Sequence, residues 1–397
     1  MLLSKSNLHI KRNCSRSSFF MQRTLAVSFF QLAIVYGFTY NENNLLQLKG
    51  ASTLDNHAAP KQRIAYLDLL RVLSAYLVVL YHTVQYIHLD EVAPATRFFC
   101  LTLQAFSKVA VPVFLMISGC VLLPKSDNII RVISRTGRIA AALILFSLVH
   151  AVLNVYRGTV SSFRISSFLD SIYRNPIFDT YWYLYAYLGL LIMMPLLQKL
   201  AKVMTKTDFI YYFAISTLVY AIWPLVVEYT PVSEYYHLFS LPLMGTHLCY
   251  LFLGYALHRI PREKLCVPAL VVIAAIATLG NALLMTTSFN AGSKTYLFTD
   301  NIAYLPVLLC SVCLFLLARC VVLSSKTSNI LQALGKCTFG SYLITDLFLI
   351  VCIPFYYTMR DAVGQVPAFM VYHLIMFALA MTVTALLRRI PFVREIL

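Results

Sequence analysis

Three ionisable residues lie within one long apolar segment, IAYLDLLRVLSAYLVVLYHTVQYI at residues 64–87: Asp68, Arg71 and His82. A charge inside a segment long enough to cross a bilayer is expensive, so each of the three is a candidate for function. In a helix, Asp68 lies one turn before Arg71 and is close enough to pair with it. Arg71 and His82 are eleven residues apart, which turns them to the same helix face within roughly 20° and separates them by about 16 Å along the axis.

The side chains of Arg71 and His82 have complementary chemistry. A guanidinium can hold a phosphate group through two hydrogen bonds, and an imidazole can remove a proton from an attacking hydroxyl. A donor such as acetyl-CoA has phosphates at one end and a thioester at the other, and it could lie along this helix face. The alternative is structural: an Asp68–Arg71 ion pair at the start of the helix, with His82 at the membrane interface. The functional interpretation gives catalytic roles to Asp68, Arg71 and His82, with donor binding by Arg71.

The next apolar segment and the basic stretch after it add candidate donor contacts. The segment ends VPVFLMISGCVLLPK, in which Ser118 and Gly119 allow another helix or a ligand to approach the backbone closely. Arg131, Arg135 and Arg138 recur four and three residues apart, so they form one basic stripe if this stretch is helical. Helix packing and the usual excess of cytoplasmic Lys and Arg explain these residues equally well. The donor-binding hypothesis predicts contacts from Ser118, Arg135 and Arg138.

Two later segments carry candidate acceptor contacts. Trp182 lies in the run YWYLYAYL, whose rings could stack on a sugar or an isoprenoid but also suit the aromatic belt of a membrane interface. In LGKCTFGSYLITDLF, Tyr342 and Asp346 are polar within an apolar helix, and a carboxylate there needs a partner or water. We therefore expect substrate binding by Trp182, Tyr342 and Asp346.

Composition and hydropathy place these residues in a membrane protein. The 397-residue chain is 60% hydrophobic and only 12% charged, which is about half the charged fraction of a soluble domain. Apolar runs of membrane-spanning length recur along the whole chain. They predict an all-α, polytopic transmembrane helical bundle of about ten core helices. The predicted spans are residues 65–87, 106–123, 139–156, 181–198, 209–227, 239–257, 267–286, 300–318, 338–357 and 367–387.

The net charge of +16 does not indicate nucleic-acid binding. Lys and Arg occur in short clusters between the apolar runs, with no basic arm or aromatic-interleaved patch. Most of the loop cations fall on the side of the membrane that holds residue 61, so the positive-inside rule predicts that both ends of the core are cytoplasmic. Arg97 and Lys108 are among the few cations that this topology places on the outer side.

The first 60 residues differ from the membrane domain predicted at residues 61–397. They form a basic extension with an apolar stretch at 24–40, which resembles a signal sequence or a short anchor. A spanning helix there conflicts with the charge bias of the core, so the stretch does not span, is removed, or precedes the true start. Cys310 and Cys313 have CxxC spacing, but inside a membrane helix without further ligands they predict no metal site.

The segment YLDLLRVLSAYLVVLYHTV resembles the opening motif of the acyltransferase-3 family of integral membrane O-acyltransferases. In that motif an Asp or Asn precedes an Arg, and a His follows the Arg after ten residues, as Asp68, Arg71 and His82 do here. VPVFLMISGCVL, YWYLYAYLGLLIMMPLL, LCYLFLGYALHR and LGKCTFGSYLITDLF resemble later segments of the family in the same order. The resemblance covers residues 61 to about 390, and the most similar branch is that of the WecH-like O-acetyltransferases.

This resemblance implies O-acyl transfer, most simply O-acetyl transfer, with Arg71 and His82 as essential residues. We expect acetyl-CoA or another acyl-CoA as a donor substrate, no permanently bound cofactor, and a cell-envelope carbohydrate or lipid-linked glycan as the acceptor. The expected location is the lipid bilayer of the bacterial plasma membrane, and no nucleic-acid partner is expected. Two other classes stay open: an exporter of a glycan or small polar solute, and a non-catalytic sensor that binds acyl-CoA.

Two positions depart from the family pattern. Many members have His two residues before the Trp, where this chain has Thr180, and many have His in the ninth helix, where this chain has Thr345. The resemblance implies that those histidines bind the acceptor or transfer a second proton. Either these roles are absent in this chain, or Asp346 performs one of them.

Overall fold

The computed structural model describes four stretches of the chain: residues 64–174, 179–229, 245–292 and 302–397. The predicted extension, with its apolar stretch at 24–40, lies outside them. The described residues belong to two compact units. Thr205–Ala214 belongs to one unit, and Arg63–Met204 with Ile215–Leu397 forms the other, which contains the candidate site.

Every regular element among the described residues is helical, as the hydropathy pattern predicts. Three short non-α segments occur at Asp179–Tyr181, Thr217–Ile222 and Arg262–Lys264. The α-helices are α1 (Ala65–Val84), α2 (Pro94–Ser107), α3 (Ala110–Leu122), α4 (Ile129–Tyr156), α5 (Ile165–Arg174), α6 (Trp182–Val203), α7 (Lys206–Ser216), α8 (Trp223–Tyr229), α9 (Thr246–His258), α10 (Val267–Asn290), α11 (Leu305–Cys320), α12 (Ser325–Gly335), α13 (Thr338–Val351), α14 (Ile353–Val363), α15 (Gln365–Leu387) and α16 (Pro391–Ile396).

Seven stretches of the described chain are helical, long and apolar enough to cross a membrane. The pair α12 and α13, bent by 55°, forms an eighth candidate if it counts as one span. The seven are Ala65–Val84, Pro94–Leu122, Ile129–Tyr156, Trp182–Val203, Lys206–Val226, Val267–Asn290 and Gln365–Leu387. The multi-pass helical class is therefore confirmed, whereas the predicted count of ten is not. The cytoplasmic location of both core ends stays a prediction.

Among the described residues, the structure has fewer candidate spans than predicted because some helices are shorter than the apolar runs in the sequence. The run predicted at 338–357 ends as helix α13 at Val351, and α14 begins at Ile353 with Pro354 in its first turn. A proline lacks the N–H group that would continue the preceding helix, so α13 does not extend through this position. The beginnings of the runs predicted at 239–257 and 300–318 lie outside the described residues.

Helix α1 is enclosed by other helices of its unit. It packs against α2, α3, α11, α12, α13 and α15, and Leu67, Leu70 and Leu77 are almost fully buried. A helix surrounded by protein can carry ionisable residues that would be too costly against lipid. This packing explains why Asp68, Arg71 and His82 are tolerated on one membrane-length helix.

Helices α2 and α3 form one apolar stretch of 29 residues with a junction between Ser107 and Ala110. Lys108 lies in this junction and is only 6% exposed. The charge pattern predicts Lys108 on the outer side of the membrane, but the structure buries it within a stretch of membrane-spanning length. The predicted span begins too late because the polar side chains of Arg97 and Gln104 lower the local hydropathy.

Helices α3 and α9 approach each other through two glycines. A Cβ atom at Gly119 would overlap the backbone carbonyl of Leu251, and one at Gly254 would overlap the backbone of Met116. The contact therefore requires glycine at both positions. Helix packing, one of the two explanations predicted for the Ser118–Gly119 pair, accounts for Gly119.

Candidate functional site

Asp68 holds Arg71 within α1. Their side chains form an ion pair in which Nη1 of Arg71 lies 2.6 Å from Oδ1 of Asp68. The side chain of Asp68 is 2% exposed and that of Arg71 is 25% exposed. Gly335, at the end of α12, covers Asp68 so closely that a Cβ atom there would lie 3.0 Å from Oδ1. The pairing predicted from the one-turn spacing is thus present, and Arg71 keeps part of its guanidinium accessible.

Arg71 lines a cavity of about 420 Å³, which we call the Arg71 cavity. Ser118 and Arg138, two of the predicted donor contacts, line the same cavity. None of the described residues that line it has an acidic side chain. Such a cavity suits a ligand with several negative charges. Its other cationic lining residues are Lys336, Arg388 and Arg394.

His82 lines a second cavity, of about 470 Å³, which we call the His82 cavity. Trp182 and Asp346, both predicted acceptor contacts, line it together with Lys108. Asp346 is buried and accepts a hydrogen bond from the hydroxyl of Thr180. The volume is in the usual range for a small-ligand site. The cavity combines an imidazole, a carboxylate, an ammonium and an indole, which together can bind a hydroxylated ligand.

The two cavities share a wall of four side chains. Val78, Val111, Tyr183 and Tyr342 line both of them. The rings of Tyr183 and Tyr342 meet edge to face, with centroids 6.0 Å apart. The hydroxyl of Tyr342 donates a hydrogen bond to the backbone carbonyl of Thr180, which fixes the position of its ring. Tyr342, predicted as an acceptor contact, therefore belongs to the wall as well as to the His82 cavity.

Val78 places this wall between Arg71 and His82 along α1. It follows Arg71 by seven residues and precedes His82 by four, and both spacings keep side chains on one helix face. The structure thus brings Arg71 and His82 to successive cavities on the same side of α1. The sequence predicts the shared face but does not reveal the wall.

A sequence profile of acyltransferase domains, that of the acyltransferase-3 family, matches residues 64–389. The match includes most of the chain and every residue of the two cavities except Arg394 and Leu397. The chain belongs to the acyltransferase-3 family. Comparisons with curated proteins and with solved structures gave no match. The protein is therefore a multi-pass membrane protein with an acyltransferase domain, and its assignment to the WecH-like branch stays a prediction.

The two departures from the acyltransferase-3 pattern have different environments. Thr345 donates its hydroxyl hydrogen to the carbonyl of Ser341, 2.7 Å away, and is not among the residues that line the His82 cavity. Thr180 does line that cavity, where its hydroxyl binds Asp346. The ninth predicted helix therefore presents Asp346, and not Thr345, to the cavity. This placement agrees with the hypothesis that Asp346 performs a role that histidine has in other members, and that role stays a prediction.

Arg135 is the one predicted donor contact that the structure separates from Arg71. Its guanidinium forms an ion pair with Asp127, with Nη1 and Oδ2 2.8 Å apart, and Gln198 also donates a hydrogen bond to the same carboxylate. The hydrogen bond from Arg135 lowers the pKa of Asp127 below its usual value. Arg135 lines a neighbouring cavity together with Arg131 and Arg138. Of the basic stripe, only Arg138 lines both this cavity and the Arg71 cavity.

Four cations that line the two cavities escape prediction from the sequence. Lys336, Arg388 and Arg394 belong to clusters that the positive-inside rule already explains, so nothing in their spacing marks them as ligand contacts. The charge pattern assigns Lys108 to the outer side of the membrane. Only Lys108 carries a signal in the sequence, because it is a charged residue inside the apolar run predicted at 106–123.

Proposed function

We propose that this protein transfers an acyl group, most simply acetyl, from an acyl-CoA in the cytoplasm to a hydroxyl of a cell-envelope carbohydrate or lipid-linked glycan. The reaction takes place in the bacterial plasma membrane. The observation that carries the proposal is the pair of cavities along one face of α1, one cationic around Arg71 and the other polar around His82. Membership in the acyltransferase-3 family supports the reaction class.

The Arg71 cavity holds the phosphate-bearing end of the donor. Coenzyme A carries a diphosphate and a 3′-phosphate, and five cationic side chains line this cavity. Arginine can grip a phosphate through two parallel hydrogen bonds, and lysine adds a compact charge. Asp68 orients the guanidinium of Arg71 from the protein side, so that its remaining N–H groups are available to the donor.

The thin pantetheine arm of the donor passes the shared wall and delivers the thioester to the His82 cavity. Val78 and Val111, together with the two tyrosines, line both cavities and so border the path from one to the other. Tyrosine and valine are apolar over most of their surface, which suits an uncharged arm but not the charged nucleotide. The wall thereby keeps the nucleotide end of the donor in the Arg71 cavity.

His82 acts as the general base in the transfer step. It accepts the proton of the acceptor hydroxyl as the oxygen attacks the thioester carbonyl, and a C–O bond forms. The tetrahedral intermediate then collapses with cleavage of the C–S bond. The thiolate of coenzyme A leaves and takes the proton from the imidazolium of His82. The products are the acylated carbohydrate and free coenzyme A.

Purified protein in lipid nanodiscs, mixed with radiolabelled acetyl-CoA and isolated envelope glycans, tests this proposal. Arg71→Ala should weaken donor binding by at least about tenfold, because it removes a charged hydrogen-bond partner. His82→Ala should keep donor binding and lower the transfer of label by about 100-fold or more. His88→Ala and Arg360→Ala are matched controls, since His88 contacts Glu91 and Arg360 pairs with Asp361, and neither residue lines a cavity of the site.

The outcomes separate the three candidate classes. Label on the glycan that depends on His82 supports the transferase. Donor binding with no transfer in the wild-type protein indicates an acyl-CoA sensor. The absence of both binding and transfer contradicts the proposal and favours a transporter.

A further inference from the structure

Lys108 is a buried cation at a break in a membrane-length helix. It lies between α2 and α3 and is 6% exposed. Placing an ammonium inside such a stretch is costly, and intramembrane charges usually serve a ligand or a pathway. Helices that break within a span commonly do so beside a binding site. Lys108 therefore lies where a broken membrane helix can present a positive charge to a ligand.

The His82 cavity is the site that Lys108 can serve, since it is one of the lining residues. Asp346 lines the same cavity from α13. Helices α3 and α13 each pack against α1, which carries His82. A ligand next to His82 therefore meets an ammonium from the α2–α3 junction and a carboxylate from α13.

We propose that Lys108 binds an anionic group of the acceptor, a carboxylate or a phosphate. Hydrogen bonds between an ammonium and these groups are about twice as strong as neutral ones. Asp346 and Thr180 bind the neutral hydroxyls of the same acceptor, and Trp182 contacts its sugar ring. The acceptor is thus an acidic carbohydrate, such as a uronic-acid or sugar-phosphate unit. This inference rests on the proposed function in that it assigns the His82 cavity to the acceptor.

Tryptophan fluorescence gives a binding test that does not depend on transfer. The sequence contains two tryptophans, Trp182 and Trp223, and only Trp182 lines the His82 cavity. A Trp223→Phe protein in nanodiscs leaves Trp182 as the single reporter. It is titrated with three probes: methyl glucuronide, glucose 1-phosphate and the neutral methyl glucoside. The two anions should quench the fluorescence at concentrations about tenfold lower than the neutral sugar.

Variants at position 108 then decide the assignment. Lys108→Gln should remove the preference for the anionic probes, and Lys108→Arg, which keeps the charge, should retain most of it. Lys326→Gln, at an exposed lysine of α12, is the matched control and should behave like the parent. Melting temperatures of all variants show that a loss of preference is not a loss of folding.

Equal quenching by the neutral and anionic probes, or a preference that survives in Lys108→Gln, overturns the inference, because the ammonium of Lys108 then does not bind the anionic group. Quenching by none of the three probes overturns it as well. The proposed function is tested separately, because it fails if no label is transferred from acetyl-CoA. A preference of the His82 cavity for the anionic probes can persist even when no label is transferred.

Discussion

At the level of single residues, the ion pair of Asp68 and Arg71 shows how a carboxylate serves a binding site without lining it. Asp68 is almost completely buried, and a buried charge is stable only when it is paired and hydrogen-bonded. Arg71 satisfies that requirement through one edge of its guanidinium. Its partly exposed remainder lines the Arg71 cavity. The pair therefore converts a flexible arginine into a fixed cation.

Asp68→Asn tests this positioning role. The amide keeps the size of the side chain but removes its charge, so Arg71 loses its orientation while it stays in the cavity. We expect the KM for acetyl-CoA to rise about tenfold, with a much smaller change in kcat, because His82 is not affected. Steady-state transfer assays give both constants. Asp361→Asn is the control, since Asp361 pairs with Arg360 at an exposed site, and a similar rise in KM there would contradict the assignment.

Much of this residue-level geometry follows from the sequence, because helical periodicity is fixed. The eleven-residue spacing is enough to place Arg71 and His82 on one face of α1, and the three-residue spacing predicts the ion pair of Asp68. Arg135 shows the limit of such reasoning. Its spacing from Arg138 is helical, yet Asp127 engages it in an ion pair away from the Arg71 cavity. Sequence spacing along one helix cannot reveal a partner from the preceding loop.

At the level of helices, hydropathy predicts the class of fold and misses breaks and close contacts. The break between α13 and α14 follows from Pro354, which a count of apolar residues ignores. Hydropathy begins the second span at residue 106, whereas the apolar helical stretch begins at Pro94, so it does not reveal the junction at Lys108. The contact of α3 with α9 depends on two glycines that are far apart in sequence. Such features depend on backbone geometry between helices, which no single segment encodes.

Gly119→Ala tests the contact between α3 and α9. The added methyl group would overlap the carbonyl of Leu251, so the helices must separate. Overpacking of this kind costs about 1–3 kcal/mol, and we expect a clearly lower melting temperature in detergent. Donor binding should weaken too, because Ser118 on the same helix lines the Arg71 cavity.

Gly280→Ala is the matched control for this substitution. Gly280 is also a helical glycine, on α10, and a Cβ atom there meets nothing within 4 Å. Alanine favours helix over glycine by up to about 1 kcal/mol, so the melting temperature should stay the same or rise. Equal destabilisation by the two substitutions would show that α3 and α9 are not held by close backbone contact.

At the level of the whole molecule, the Arg71 cavity assembles charge from distant parts of the chain. Arg71 lies on α1 and Arg138 on α4, whereas Lys336, Arg388 and Arg394 follow or lie within later helices. Each of the four cations other than Arg71 fits the positive-inside pattern by itself. Their convergence depends on how α12, α13 and α15 pack around α1, which the sequence does not specify by spacing. A cluster of this kind binds a polyanion through its summed field.

Neighbouring arginines at the end of α15 allow a sharp test of this convergence. Arg388 lines the Arg71 cavity, whereas Arg389 is exposed and does not line it. Arg388→Gln should weaken acetyl-CoA binding by roughly tenfold, and Arg389→Gln should leave it within about twofold, although both lose one positive charge. Calorimetry at low and at high salt should show that the affinity of the wild-type protein for acetyl-CoA falls as salt rises. The affinity of Arg388→Gln should fall less, because salt then screens fewer charges. Equal losses in the two variants would mean that the donor responds to the net charge of this face of the protein and not to a cavity built from five cations.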